Sequence, residues 1–97
     1  MNWQNFSFEN QGAKLSYSAA GIGDPLVFLH GGPGDDHVYL RPFAEPFLSQ
    51  YRCILPDQRG SGQSIIRTYN SETLHLSKFI DDLEALRIHS YRHGPDQ

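Results

Sequence analysis

The sequence predicts an α/β fold: an antiparallel hairpin followed by two parallel strands and their helices. Three observations predict it. Two alternating runs flank a Gly-containing turn, two later runs are apolar on both faces, and a helical stripe follows the second of these. In order, Phe6-Ser7-Phe8-Glu9 alternates apolar with polar, Gln11-Gly12 supplies the turn, and Leu15-Ser16-Tyr17-Ser18-Ala19 alternates again, as a half-buried hairpin does. Trp3, Phe6 and Phe8 read as its packing residues. Gly21 and Gly23-Asp24-Pro25 punctuate the chain. Leu26-Val27-Phe28-Leu29 then fits a strand buried on both faces, as in a helix-covered parallel sheet.

Val38 to Gln50 reads as helical but broken, because Pro42 and Pro46 each remove a backbone donor and clash with the preceding turn. A second buried strand, Cys53-Ile54-Leu55, runs into Pro56-Asp57. From Ser71 to Ile88, the residues Leu76, Phe79, Ile80, Leu83 and Leu86 recur at helical spacing, with Lys78, Asp81, Asp82 and Glu84 on the solvated side and Ser71 or Thr73 as cap. Residues 1–88 are therefore one α/β portion, and the polar 89–97 segment is a divergent, disordered tail. The sheet is incomplete, since no third buried strand follows the last helix.

Composition narrows the partners. The formal charge of −3 is mild and the basic residues are scattered, so no nucleic-acid partner is expected. No apolar run approaches the ~20 residues of a membrane span, and the start lacks the features of a signal peptide. A cytoplasmic location without membrane contact is expected. Cys53 is the only cysteine, which excludes an intrachain disulfide. No cofactor and no metal are expected: His89 and His93 have the i, i+4 spacing of a helical metal pair, but Gly94-Pro95 follows and the segment reads as unstructured.

Two loops carry the chemistry. His30-Gly31-Gly32-Pro33-Gly34 lies at the carboxyl end of a parallel strand, where glycines let backbone N–H groups turn toward a ligand. An N–H held there can stabilise an oxygen that gains charge during acyl transfer. Asp57-Gln58-Arg59-Gly60-Ser61-Gly62-Gln63-Ser64 follows the next strand and suits a tight, internally bonded turn. The rival reading is a dinucleotide fingerprint, with Gly32 and Gly34 at the phosphates and Asp57 on the ribose. His37 stands where that motif needs a small residue, and Arg59 to Gly62 would be left without a role.

The ordered pair of loops, with the helix Phe79-Ile80-Asp81-Asp82-Leu83-Glu84-Ala85-Leu86-Arg87, resembles α/β-hydrolases of the proline iminopeptidase type over about Phe6 to Arg87. The resemblance implies the N-terminal part of a hydrolase sheet and a serine hydrolase or aminopeptidase acting on small peptides or esters. It places Gly31 and Gly32 at the oxyanion hole, with Gly32 the main N–H donor. It makes His30, Pro33, Gly34, Asp57, Arg59, Gly60 and Gly62 structural residues of their loops.

The nucleophile, in Gly-x-Ser-x-Gly, belongs on the strand after the last helix, followed by the acid and the histidine. No serine fits: Ser64 has Gly62 before it but Ile66 after it, and Ser61 lies between Arg59 and Gln63. The 97 residues alone are thus expected to be inactive, as from a truncated or frame-shifted coding sequence. Where the nucleophile strand would pair, beside Leu26 to Leu29, an open apolar edge invites self-association. His37 and His75 read as surface or loop histidines, Ser64 as a turn residue, and Arg59 as the anchor of its own loop.

Overall fold

A computed structural model describes residues 3–31 and 35–94. Strands β1 (Gln4–Asn10) and β2 (Ala13–Ala20) form the hairpin, in register from Gln4–Ala19 to Asn10–Ala13. Its two-residue turn has φ of 44° at Gln11 and 80° at Gly12. Both values are positive, the hand that matches the natural twist of a hairpin.

Strand β3 (Asp24–Val27) runs parallel to β4 (Tyr51–Asp57), which pairs antiparallel with β2, giving the order β1-β2-β4-β3. The short strand β5 (Ile65–Ile66) pairs with the start of β2. Between β3 and β4 the chain crosses over through a 3-10 turn (Val38–Leu40), helix α1 (Arg41–Ala44) and a second 3-10 turn (Glu45–Phe47). Pro42 and Pro46 sit in the first turns of the last two pieces, where a missing N–H costs nothing. The prolines therefore divide this helical stretch.

Strand β4 is enclosed along almost its whole length. Cys53 and Leu55 pack with Ala20, Ala44 and Leu48 on the α1 side, and Ile54 packs with Tyr17, Ala19 and Leu86 on the other. Strand β3 departs from expectation: Val27 and Leu29 are 44% and 50% exposed. The reason is topological. β3 has a single neighbour, β4, so its apolar residues lie at a rim of the sheet rather than within it.

Helix α2 spans Leu76–Arg92, and two expectations about it need correction. First, its cap is His75, whose Nδ1 accepts the Ser77 N–H at 3.1 Å; Thr73 is bound into the preceding turn, donating to the Thr68 carbonyl at 2.6 Å. Second, the buried residues are Asp82, Leu86 and Ser90, whereas Leu76, Ile80 and Leu83 are exposed. Asp82 is no part of a solvated face. An arginine described below draws it inward and turns part of the apolar stripe outward.

The expected tail boundary at 88 also moves, because α2 continues to Arg92. The added turn is held by ring packing: His89 stacks on Phe8 at 4.6 Å, and its Nδ1 lies 2.8 Å from the Tyr17 hydroxyl. Burial pushes the Tyr17 phenol up to about 12, opposed by Arg52, and burial together with His93 lowers the His89 imidazole below its ordinary value. Residues 95–97 of the expected tail lie outside the described residues.

Candidate active site

The carboxyl ends of β3 and β4 deliver the two loops side by side, and a reciprocal pair of hydrogen bonds fastens them. The Gln58 N–H donates to His30 Nε2 at 2.9 Å, and the Gln58 side-chain amide donates to the His30 carbonyl at 2.6 Å. With Nε2 accepting, Nδ1 carries the proton and faces the Gly31 carbonyl at 3.1 Å. His30 is buried, and both its ring nitrogens are committed to backbone groups.

The Gly31 N–H donates to the Tyr39 hydroxyl at 2.9 Å, so this backbone donor already has a partner in α1's approach segment. Gly32, Pro33 and Gly34 lie outside the described residues. Gln58 and Tyr39 are the two positioning residues that sequence reasoning missed. Gln58 stood inside the quoted motif, while nothing in the sequence singled out Tyr39.

Asp57 lies at the end of β4, is 3% exposed, and spends its carboxylate within the loop system. Oδ1 accepts the His37 N–H at 2.9 Å and the His37 Nδ1–H at 2.8 Å; Oδ2 accepts the Gln63 N–H at 2.9 Å. Burial acts to raise its pKa, but the hydrogen bonds from the His37 ring, Gln63 and the His37 backbone together hold it below the usual carboxylate value. Buried this deeply and already holding three hydrogen bonds from its own loops, the carboxylate does not reach a ribose hydroxyl, which speaks against the dinucleotide reading. His37 is buried rather than at the surface, because its ring bridges Asp57 and the Arg41 guanidinium, whose Nε lies 3.2 Å from Nε2.

Gly62 explains part of this loop's composition. Its φ is 52°, and a Cβ there would come within 2.5 Å of Asp57 Oδ2. Gly60 donates its N–H to the Ser64 carbonyl at 2.9 Å, closing the turn. Ser64 is 1% exposed, accepting the Ser16 N–H at 2.8 Å and donating to the Asp57 carbonyl. It is a bracket between β2 and β4, with no access to a substrate.

Arg59 reaches far beyond its own loop. Its Nε and Nη2 form a fork on Asp82 of α2 at 2.7 and 2.8 Å, and Nη1 donates to the Thr73 carbonyl at 3.0 Å. Asn10, at the hairpin turn, donates to Asp82 Oδ1 at 2.8 Å. The Arg59 side chain is fully buried and Asp82 raises its pKa further. Loop, helix and hairpin thus share one charged node. An apolar cavity opens beside it, lined by Leu29, Pro56, Gln58, Phe79 and Leu83.

Cys53 is wholly buried, and burial followed by Glu45 pushes its thiol up, away from the reactive thiolate. Among the described residues no group of three or more His, Cys, Asp and Glu side chains could hold a metal ion, and no helix is long and apolar enough to cross a membrane.

Comparison with known proteins agrees with this arrangement. Residues 24–93 match the family model described as the alpha/beta hydrolase fold. The chain is 43% identical over 68 residues to a proline iminopeptidase of Lactobacillus helveticus, covering 67% of this chain and 22% of that protein. It is 37% identical over 75 residues to cis-3-alkyl-4-alkyloxetan-2-one decarboxylase of Shewanella oneidensis, covering 77% of this chain and 23% of that enzyme. The crystal structure of a proline iminopeptidase-related protein from Thermus thermophilus superimposes with a TM-score of 0.78 at 28% identity, over 89% of this chain and 31% of that one. The chain therefore spans less than a quarter of the length of the two curated relatives. With its strand order, crossover and paired loops, it belongs to the α/β-hydrolase fold family.

Proposed function

We propose that these residues form the oxyanion-hole-bearing portion of a serine hydrolase of the proline iminopeptidase type, acting on small peptides or esters. The carrying observation is the reciprocal lock between His30 and Gln58, which fastens His30, the first residue of the glycine motif, to the loop after β4. In this reading Gly32 supplies the oxyanion N–H, because Gly31 already donates to Tyr39. A preorganised donor of this kind contributes roughly 2.7–4 kcal/mol at the transition state. The nucleophile, acid and base lie outside the 97 residues, which by themselves do not turn over substrate.

Two measurements test the reading. A fluorophosphonate probe labels only an activated nucleophile, so no adduct is expected on the chain alone; a covalent adduct refutes the proposal. Co-expression with the complementary C-terminal portion of a proline iminopeptidase should restore hydrolysis of a proline anilide. Gly32→Pro, which removes the N–H, should abolish it. Restored turnover unaffected by Gly32→Pro would also refute the assignment.

A second reading is favoured by the exposure of Val27 and Leu29 at the rim of the sheet. There the chain associates with a second copy of itself, as open sheet edges do. Sedimentation velocity should show concentration-dependent dimers that Val27→Lys shifts to monomer. A single monomeric species at all concentrations removes this reading.

A further inference from the structure

We propose that His89 and His93 form a two-histidine site for a divalent transition-metal ion, such as Ni²⁺ or Zn²⁺, on the last turn of α2. Two features of the sequence count against this spacing: an unstructured reading of 89–97 and the lack of a third ligand. The structure removes the first, since α2 runs to Arg92 and His93 closes it, its N–H bonded to the His89 carbonyl at 3.1 Å. Residues four apart on a helix share a face, and the His93 ring lies over the His89 ring, centroids 4.0 Å apart at a tilt of 36°, close enough for a turn of His93 to bring both rings to one ion.

Two further observations point to a ligand. A metal-bound imidazole holds its ring by donating the other N–H to an oxygen, and the Tyr17 hydroxyl, 2.8 Å from His89 Nδ1, can accept that bond in the Nδ1–H tautomer. Phe8, stacked on the same ring, fixes its plane. Nδ1 is thus engaged by the protein, and Nε2 makes no hydrogen bond among the described residues. His93 is exposed, so its ring can turn to bring a nitrogen alongside.

The remaining histidines are less available. His30 and His37 are buried with both ring nitrogens engaged, and His75 Nδ1 serves as the cap of α2. With two imidazoles and no third protein ligand among the described residues, water completes the coordination. An imidazole donor set suits Ni²⁺ and Zn²⁺ over Ca²⁺ and Mg²⁺. Arg52, whose guanidinium lies over Phe6 and donates to the His93 carbonyl, is the neighbouring cation and limits the affinity.

Isothermal titration of NiCl₂ into the 97-residue chain tests the site. One ion per chain should bind, MgCl₂ should give no heat, and His93→Gln should weaken Ni²⁺ binding at least tenfold. His93 is exposed, so this variant should keep its far-ultraviolet dichroism; His75→Gln should bind as the parent does. No Ni²⁺ binding, or binding that survives His93→Gln and disappears in His75→Gln, overturns the proposal.

Discussion

Replacing Asp82 with alanine should be the most damaging single change among the residues described. The side chain of Arg59 is fully buried and that of Asp82 is 11% exposed, so water screens the pair weakly. Asp82→Ala strands a buried guanidinium with only two carbonyl contacts, to Thr73 and Asn10. Breaking a buried pair from one side costs about 3–5 kcal/mol. A domain of this length has a total stability of only about 5–15 kcal/mol, so the variant should lose a large fraction of it. With about 4–8 °C lost per kcal/mol, Tm should fall by at least ~12 °C. Urea unfolding followed by circular dichroism measures the change. The double variant Arg59→Met/Asp82→Leu should recover most of the loss, because it removes both charges and keeps apolar volume. A loss below about 1 kcal/mol for Asp82→Ala, the size of an exposed pair, would refute burial of the node.

Other expectations follow from the same geometry. Asp57 has a depressed pKa, so its stabilisation is present above the unfolded value, about 3.9, and is lost as pH falls through the lower folded value. The stability gap between the parent and Asp57→Asn should therefore be constant near neutral pH and close under acid conditions in urea titrations. Gly62→Ala should cost at least ~1–2 kcal/mol from its left-handed backbone alone, with the Asp57 clash in addition, read as a lowered Tm. Gln58→Ala should cost about 1–3 kcal/mol by leaving the His30 carbonyl without its side-chain donor, with faster amide exchange at Gly31 as its local signature. The Cys53 thiol should resist a disulfide-exchange reagent until denaturant is added, since it is wholly buried.

Elements with a strong local signal were legible in the sequence. The hairpin, the proline-divided crossover and β4 follow from alternation, ring chemistry and a run that is apolar on both faces. The glycine loop and its partner were legible as a pair. What escaped was non-local. Asp82 stands at a position that periodicity assigns to solvent, yet a buried arginine 23 residues away captures it. His37 and Asp57 are 20 residues apart, and no local pattern announces their bond. The edge position of β3 likewise depends on how many strands flank it, which its own four residues do not encode.

The rim strand has one more property with consequences. The Phe28 N–H points at the Ile54 carbonyl, so by alternation Pro25, Val27 and Leu29 turn their backbone groups outward. Proline has no N–H to offer, which leaves two outward donors along this border. An incoming strand can therefore latch at the Val27–Leu29 end and finds only the Pro25 carbonyl, an acceptor, toward Asp24. Such a border admits one short guest in a pinned alignment and gives poor purchase to a growing fibril.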